Sequence, residues 1–243
     1  MARSVANNRF DYNKILEKYA ANGKKQVRLA QSDLFLTRAI EANKNSYTFD
    51  VLDNITQGLQ PDEIRLNMND EFISNAFGIF LYGTIADVET PTLTSPFMLT
   101  YPPNELGVAA NLMGGLYAGT LKMGVNNIFY MEKWALRKHL FIPRTQFASY
   151  HPVASPTPLL GQGNFPATIP SLDYLNDGMV AMAPTFTLSG AAKNEITISL
   201  PSAITPGSFQ FTDQSGAQLA ITIDRIAARF MGLLAQNAAA FQQ

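Results

Sequence analysis

The stretch Glu63–Ile85 is EIRLNMNDEFISNAFGIFLYGTI. In its first seven residues apolar side chains occupy alternate positions, which is the period of an extended strand with one apolar face. Asn69-Asp70 is a turn signal. A long apolar run follows, with Phe72, Phe80 and Tyr82. Two strands joined by a short turn are therefore predicted here.

The strand pattern recurs on both sides of this stretch. It precedes it at Gln26–Ile40 and Ser46–Leu52, and it returns at Thr185–Ser189, Glu195–Leu200 and Gln218–Asp224. Further strands are expected in Leu116–Trp134, with Asn126-Asn127 as a two-residue hairpin turn. About ten short strands with Pro and Gly turns predict a mainly β fold. The expected architecture is a jelly-roll-like antiparallel β-sandwich, and a single and a compact double jelly roll both fit.

Helices are expected only at the ends of the chain. Asp11–Ala21 (DYNKILEKYAA) predicts a short N-terminal helix, with Asp11 as N-cap and Asn22-Gly23 as the stop. Near the C-terminus, residues 225–238 are Ala-rich and place apolar side chains at helical spacing. A C-terminal helix is favoured there, and extension of the preceding strand is the alternative.

Charge divides the sequence into an arm and a body. Residues 1–28 carry seven basic and two acidic side chains, a net charge of +5, whereas the remainder carries eleven and seventeen, a net −6. We therefore distinguish an N-terminal arm, residues 1–24, from a β-sandwich body, residues 25–243. A basic arm can contact nucleic acid or an acidic neighbour; a solvated helix is the alternative.

Residues 143–184 form a proline-rich excursion within the body. This segment holds seven of the fourteen prolines, and proline is excluded from central strands because it lacks a backbone donor. Its apolar side chains, among them Phe165 and Tyr174, are too numerous for a solvated linker. We expect a surface loop region that contacts other subunits or the outer surface and holds no catalytic group.

Composition excludes several classes of chemistry. The sequence has no Cys and only two His, so disulfides, thiolate metal sites and Cys nucleophiles are excluded. No phosphate-binding loop or nucleophile elbow occurs. We expect neither a signal peptide nor a membrane-spanning segment, because no apolar run approaches about twenty residues.

The remaining candidate residues give only weak evidence for a functional site. Asp62-Glu63 and Asp70-Glu71 are adjacent pairs, and neighbouring residues on a strand point to opposite faces. His139 and His151 are too few for a zinc site. Trp134, beside Lys133, Arg137 and Lys138, could stack on a base, but a core position is favoured. We predict no catalytic, cofactor-binding or metal-binding residues, and no enzyme.

Four segments resemble the coat proteins of tailless icosahedral bacteriophages of the jelly-roll type. They are KKQVRLAQSDLFLTRAIEANKNSYTFDVL from Lys24, EIRLNMNDEFISNAFGIFLYG from Glu63, LYAGTLKMGVNNIFYMEKWALRKHLFIPRTQ from Leu116 and FMGLLAQNA from Phe230. The likeness covers residues 25–147 and 217–238. It implies a sandwich in a protein shell, with termini and long loops between subunits, and no catalytic residues to carry over.

The function predicted is that of a major capsid protein that assembles with itself into trimers or a larger shell. The expected location is the virion, which is assembled in the host cytoplasm, and the expected partners are other virion proteins. The arm is predicted to pack on a neighbouring subunit or to face the particle interior, with weak nucleic-acid contact. Contact with a membrane is left open. The charged fraction of 15%, against a usual ~25%, is typical of a surface covered by partners.

Two alternatives remain open at this point. The protein could be another virion component, such as a minor capsid, spike or tail protein. It could instead be a β-sandwich module that binds carbohydrate or peptide through loop aromatics. The candidate aromatics for such a module are Tyr101, Phe147, Tyr150, Phe165 and Tyr174.

Overall fold

A computed structural model describes residues 12–24, 27–53, 62–87, 94–99, 107–140, 178–212 and 218–239. The described part contains the helices α1 (Tyr12–Ala21) and α2 (Gly107–Tyr117) and one turn of 3-10 helix at Leu136–His139. The strands are β1 (Arg28–Ala39), β2 (Ser46–Thr48), β3 (Glu71–Asp87), β4 (Thr94–Leu99), β5 (Thr120–Val125), β6 (Ile128–Ala135), β7 (Met179–Ser189), β8 (Asn194–Ser199), β9 (Gly207–Thr212) and β10 (Gln218–Gln236).

The strands form two antiparallel sheets. Sheet A has the order β1-β10-β3, and two strands share the far side of β3: β7 pairs with its first half and β4 with its second. The strand β9 pairs with the first residues of β10, beyond the end of β1. Sheet B has the order β2-β8-β5-β6. The mainly β, antiparallel prediction is thus confirmed.

The strand order identifies the type of sandwich. Without the added strands β4 and β9, each sheet has four strands, β1-β10-β3-β7 and β2-β8-β5-β6. The polypeptide passes from one sheet to the other after β1, β2, β3, β6, β7 and β8. This is the eight-stranded, two-sheet arrangement of a jelly roll. The described residues form one such sandwich, which favours the single over the double jelly roll.

One hydrophobic core lies between the sheets. Sheet A contributes Phe72, Phe77 and Phe230, and sheet B contributes Met123 and Ile198, all fully buried. The helix α2 closes the core with apolar side chains from its last two turns. Its final residue, Tyr117, donates a hydroxyl hydrogen bond of 2.8 Å to the carbonyl of Ile79 in β3, which satisfies a polar group that burial would otherwise leave unpaired.

The two long strands of sheet A are bent by β-bulges. The register of β10 against β3 shifts between Ile223 and Arg225 and again between Met231 and Gly232. At these points Gly83 and Gly232 lie so close to the facing backbone that an added Cβ would overlap the carbonyl oxygens of Thr222 and Ile73 respectively. Only glycine permits this approach between neighbouring strands.

The favoured C-terminal helix is wrong. Residues 225–236 belong to β10, which pairs with β1 on one side and β3 on the other. A central strand satisfies its backbone groups on both edges, and this pairing outweighs the helical preference of alanine. Both faces of β10 are covered, with Ile226 and Phe230 in the core and Ala227 on the opposite face. Because both faces are apolar, apolar residues also occur at the spacing that is typical of a helix.

Three other differences are smaller. The helix α2 was not predicted, since strands were expected from Leu116. The predicted strand Glu63–Asn69 is reduced to isolated bridges at Ile64 and Leu66. Residues 178–184 of the excursion belong to the turn before β7 and to β7 itself, so Pro184 lies in a strand. Among the described strands β7 pairs with β3 alone, and it is bulged there, where proline is tolerated. Residues 141–177 lie outside the described residues.

Candidate assembly surfaces

The first acidic pair ties the segment before Arg65 to sheet A. The Tyr82 hydroxyl donates to both carboxylate oxygens of Asp62 at 2.9 Å. Glu63 Oε1 accepts from the backbone nitrogen and the hydroxyl of Thr37 at 2.7 and 2.6 Å, and its Oε2 accepts from Arg65 at 3.1 Å. The two carboxylates therefore have different structural partners and do not converge on a shared site.

The acidic pair Asp70-Glu71 likewise accepts hydrogen bonds from distant parts of the fold. Asp70 Oδ1 accepts from the backbone nitrogen of Asn237 at 2.8 Å. Glu71 accepts from the Tyr19 hydroxyl at 2.8 Å and from Lys24 Nζ at 3.2 Å. Within the described ranges, no group of three or more His, Asp or Glu side chains is placed to hold a metal ion.

His139 joins the two sheets. Its buried ring accepts a hydrogen bond at Nε2 from Trp134 Nε1 at 3.1 Å, and Nδ1 lies 3.0 Å from the carbonyl of Gly178, to which it donates. Trp134 is in β6 of sheet B and Gly178 precedes β7 of sheet A. Burial lowers the pKa of His139 to about 4, because desolvation disfavours the charged ring. Both ring nitrogens serve the fold and neither is free to bind a ligand.

Trp134 packs against the core, as the favoured interpretation predicted. Its ring lies 5.8 Å from that of Phe77. The Lys138 ammonium lies 3.7 Å from the indole ring centre, so one ring face is already in a cation–π contact. A base could stack on that face only after Lys138 moved away.

The described part of the arm docks on its own body. One side of α1 presents Ile15 and Tyr19 to a cluster on sheet A that includes Ile73 and Leu233. The Tyr19–Glu71 hydrogen bond adds a polar contact at the same place, and burial followed by this bond raises the pKa of Tyr19. Residues 12–24 thus contact their own subunit, and contact with a neighbour stays a prediction.

The edge of sheet A beside β1 is covered around Phe35. Phe35 and Ile64 exchange two backbone hydrogen bonds of 2.9 Å, and Leu66 donates to Val51 at 2.8 Å. The segment 62–66 therefore bridges β1 and the residues that follow β2. Covering an edge in this way prevents uncontrolled pairing with other strands.

One end of the sandwich has an unusual surface, which we call the asparagine-rich end: residues 67–69, 126–128 and 190–193. Asn126 exchanges hydrogen bonds of 2.9 and 3.0 Å with Lys193, and the Gly190 backbone lies against the Met68 carbonyl. Lys193 is the one charged side chain in these three ranges. Ile128 and Met68 are 69% and 60% exposed, the highest values among large apolar side chains in the described part.

The hairpin turn at this end was predicted correctly. Asn126 and Asn127 both have positive φ, 50° and 63°, which is the backbone of a type I′ turn. The surface around it was not predicted, because its three ranges are far apart in sequence. A charge-poor patch with exposed Ile and Met side chains is typical of a protein–protein contact.

Several predicted residues lie outside the described ranges. They are His151 and the loop aromatics proposed for a binding module: Tyr101, Phe147, Tyr150, Phe165 and Tyr174. Within the described ranges, both helices are too short or too polar to cross a bilayer.

Comparisons with known proteins identify no relative. Neither a protein-family model, nor a curated protein, nor a solved structure matches this sequence. Fold and surface chemistry are therefore the basis for inferring function.

Proposed function

We propose that this protein is a structural subunit that assembles with copies of itself into the coat of a virus particle. The observation that carries the proposal is the jelly-roll strand order of the two sheets. Viral coat proteins, lectins and cupins use this architecture. A fold alone does not determine function. The side chains therefore have to distinguish a coat protein from a lectin or a cupin.

The use of polar groups favours a structural role. The carboxylates of Asp62, Glu63 and Glu71 each accept hydrogen bonds that join distant parts of the sequence. Both ring nitrogens of His139 are likewise engaged. In a lectin or a cupin, some of these groups would converge on a ligand instead.

The asparagine-rich end supplies a surface for contact between copies. The exposed side chains of Ile128 and Met68 lose contact with water if another subunit covers them, which is favourable. Charged side chains, which are costly to desolvate, are few there: Lys193 lies within the three ranges, and Asp70, whose carbonyl accepts from Gly190, lies beside them. The low charge of the whole sequence, 15%, fits a subunit with much of its surface covered.

Analytical ultracentrifugation and negative-stain electron microscopy of the full-length protein test the proposal. We expect trimers, rings or closed shells whose fraction grows with protein concentration. A protein that stays strictly monomeric at the highest attainable concentration contradicts the proposal. A monomer that binds a defined glycan on an array would favour the binding-module alternative.

A double substitution tests the surface separately. Ile128→Ser with Met68→Ser should leave the melting temperature nearly unchanged, since both side chains are exposed, and should shift assembly to higher protein concentration. Lys193→Ser is the matched control, because it alters the same end without removing apolar surface. If the wild type assembles and the double variant assembles equally well, the contact lies elsewhere and the coat function still stands.

A further inference from the structure

The only Asn-Gly dipeptide of the sequence, Asn22-Gly23, ends α1. The Lys24 backbone nitrogen donates to the Tyr19 carbonyl at 2.9 Å, and the Gly23 nitrogen donates to the Ala20 carbonyl at 3.0 Å. With Gly23 at φ 80°, these two bonds form the Schellman motif that terminates a helix. The dipeptide therefore lies between the residues that hold the arm to the body.

Asn22 is open to solvent. Both Asn22 and Gly23 are exposed, and apart from Gly23 and its two neighbours in sequence no residue lies within 4 Å of the position that a Cβ on Gly23 would occupy. Among the described residues, the side-chain amide of Asn22 has no hydrogen-bond partner. Its side chain is therefore free to turn towards the next peptide nitrogen, and the bond from that nitrogen to Ala20 is the restraint on their reaction.

We infer that Asn22 is a deamidation site and that its conversion releases α1 from the body. The Gly23 backbone nitrogen loses its proton and attacks Cγ of Asn22. A new bond between this nitrogen and Cγ closes a succinimide ring, the bond from Cγ to Nδ2 breaks, and ammonia leaves. Water then opens the ring at either carbonyl, giving aspartate or isoaspartate. The reaction consumes only water and involves no oxidation or reduction.

Either product weakens the end of α1. Aspartate puts a negative charge at the C-terminal end of a helix, where the macrodipole is already negative. Isoaspartate adds one carbon to the backbone between Tyr19 and Lys24, so the hydrogen bond between them cannot keep its geometry. Tyr19 and Lys24 both bind Glu71, and a distorted link between them separates α1 from sheet A.

Docking of α1 controls the rate of the reaction. The Gly23 nitrogen can attack only when its bond to Ala20 opens, and a ten-residue helix is marginal on its own. Contact with the body thus protects Asn22. Tyr19→Phe removes the hydroxyl bond to Glu71 but keeps the ring, so it should speed conversion of Asn22 several-fold.

The test follows the folded full-length protein at mildly alkaline pH. Peptide mapping by mass spectrometry measures conversion at each asparagine, and hydrogen exchange measures the protection of Tyr12–Ala21. We expect Asn22 to convert before Asn13 and Asn43, which precede lysine, and the converted molecules to lose protection in α1. Asn22→Gln is the matched control, which keeps the amide and should keep α1 docked throughout.

Two results would overturn the inference. One is an Asn22 that stays intact while Asn13 or Asn43 converts. The other is a converted molecule in which α1 exchanges as slowly as before. If Asn22 converts at the wild-type rate in the Tyr19→Phe variant although α1 is less protected there, docking of α1 does not slow the reaction. Because this reaction needs no second copy, its outcome is independent of assembly.

Discussion

The outward faces of the two sheets have opposite character. On sheet A, Phe35, Phe80 and Tyr82 are at most 8% exposed and form an apolar cluster with Ala227 and Met179. On sheet B, the corresponding face carries hydroxyl and charged side chains. Thr48 and Thr197 share a hydrogen bond of 3.1 Å, and Lys122 pairs with Glu195 at 2.9 Å.

This contrast shows which sheet lies in the interior of the fold. Sheet A has buried side chains on both faces, whereas antiparallel sheets commonly leave one face in water. Sheet B has one face on the core and one in water. Substitutions on the outward face of sheet A should therefore lower the free energy of unfolding more than matched substitutions on sheet B. Three measurements test this contrast and one tests the contact between the sheets; they follow in order of decreasing effect.

The largest effect is expected at Phe80. Phe80→Ala removes a ring that is 4% exposed on the outward face of sheet A, and deleting a buried aromatic ring costs about 3–5 kcal/mol. Phe129→Ala on the outward face of sheet B removes a partly exposed ring under Lys122 and should cost less than about half as much. Chemical denaturation measures both. Equal costs would break the contrast between the sheets.

The second effect concerns the contact between the sheets at His139. Its pKa is about 4 in the folded protein against 6.5, so the unfolded protein binds the extra proton first as pH falls. Stability is complete above about pH 6.5 and is lost towards pH 4, by about 3 kcal/mol in all. Urea unfolding across this range measures the loss. In the His139→Asn variant the free energy of unfolding should change less with pH. If the free energy of unfolding depends on pH equally in the wild type and the variant, protonation of His139 does not cause the loss.

The third effect compares two ion pairs on the outward faces. Asp33 accepts from Arg229 Nε at 3.0 Å on sheet A, with side chains 26% and 18% exposed. Asp33→Asn should cost about 1–2 kcal/mol, since it removes the negative charge beside the partly buried guanidinium of Arg229 and weakens a charged hydrogen bond. Glu195→Gln, which breaks the more exposed pair with Lys122 on sheet B, should cost under about 1 kcal/mol. Reversed costs would contradict the assignment of sheet A to the interior.

The smallest effect is expected at Thr197. Thr197→Ala removes one hydroxyl from the exposed pair with Thr48, and a surface change of this kind stays within about 0.5 kcal/mol. The melting temperature should be almost unaffected. A large loss of stability would mean that sheet B is covered by something in the folded subunit.

The same contrast explains which strands could be predicted. In β2 and β8 the buried side chains Tyr47, Ile196 and Ile198 alternate with solvent-facing ones, so the sequence keeps the period of two. In β3 and β10 both faces are buried, so the period disappears. A strand apolar on both faces can resemble a helix in sequence. The long apolar run of β3 still predicts a strand, as does the start of β10, whereas residues 225–238 wrongly favour a helix.

Contacts between distant residues could not be predicted from a single sequence. The Tyr19–Glu71 bond joins residues 52 positions apart, and the Gly178 carbonyl lies 39 positions from His139. No local pattern encodes either contact. The hairpin at Asn126-Asn127 and the end of α1 at Gly23 were predictable because turn chemistry is local.

The pairing of β1 with β10 has a consequence for folding during synthesis. β10 is central in sheet A, between β1 and β3, yet it is the last of these strands to leave the ribosome. Until then β1 and β3 lack their partner and present open backbone edges to other nascent polypeptides. Such distant pairing also makes folding slow. We expect folding to begin only after synthesis of β10, and proteins truncated before Gln218 to aggregate.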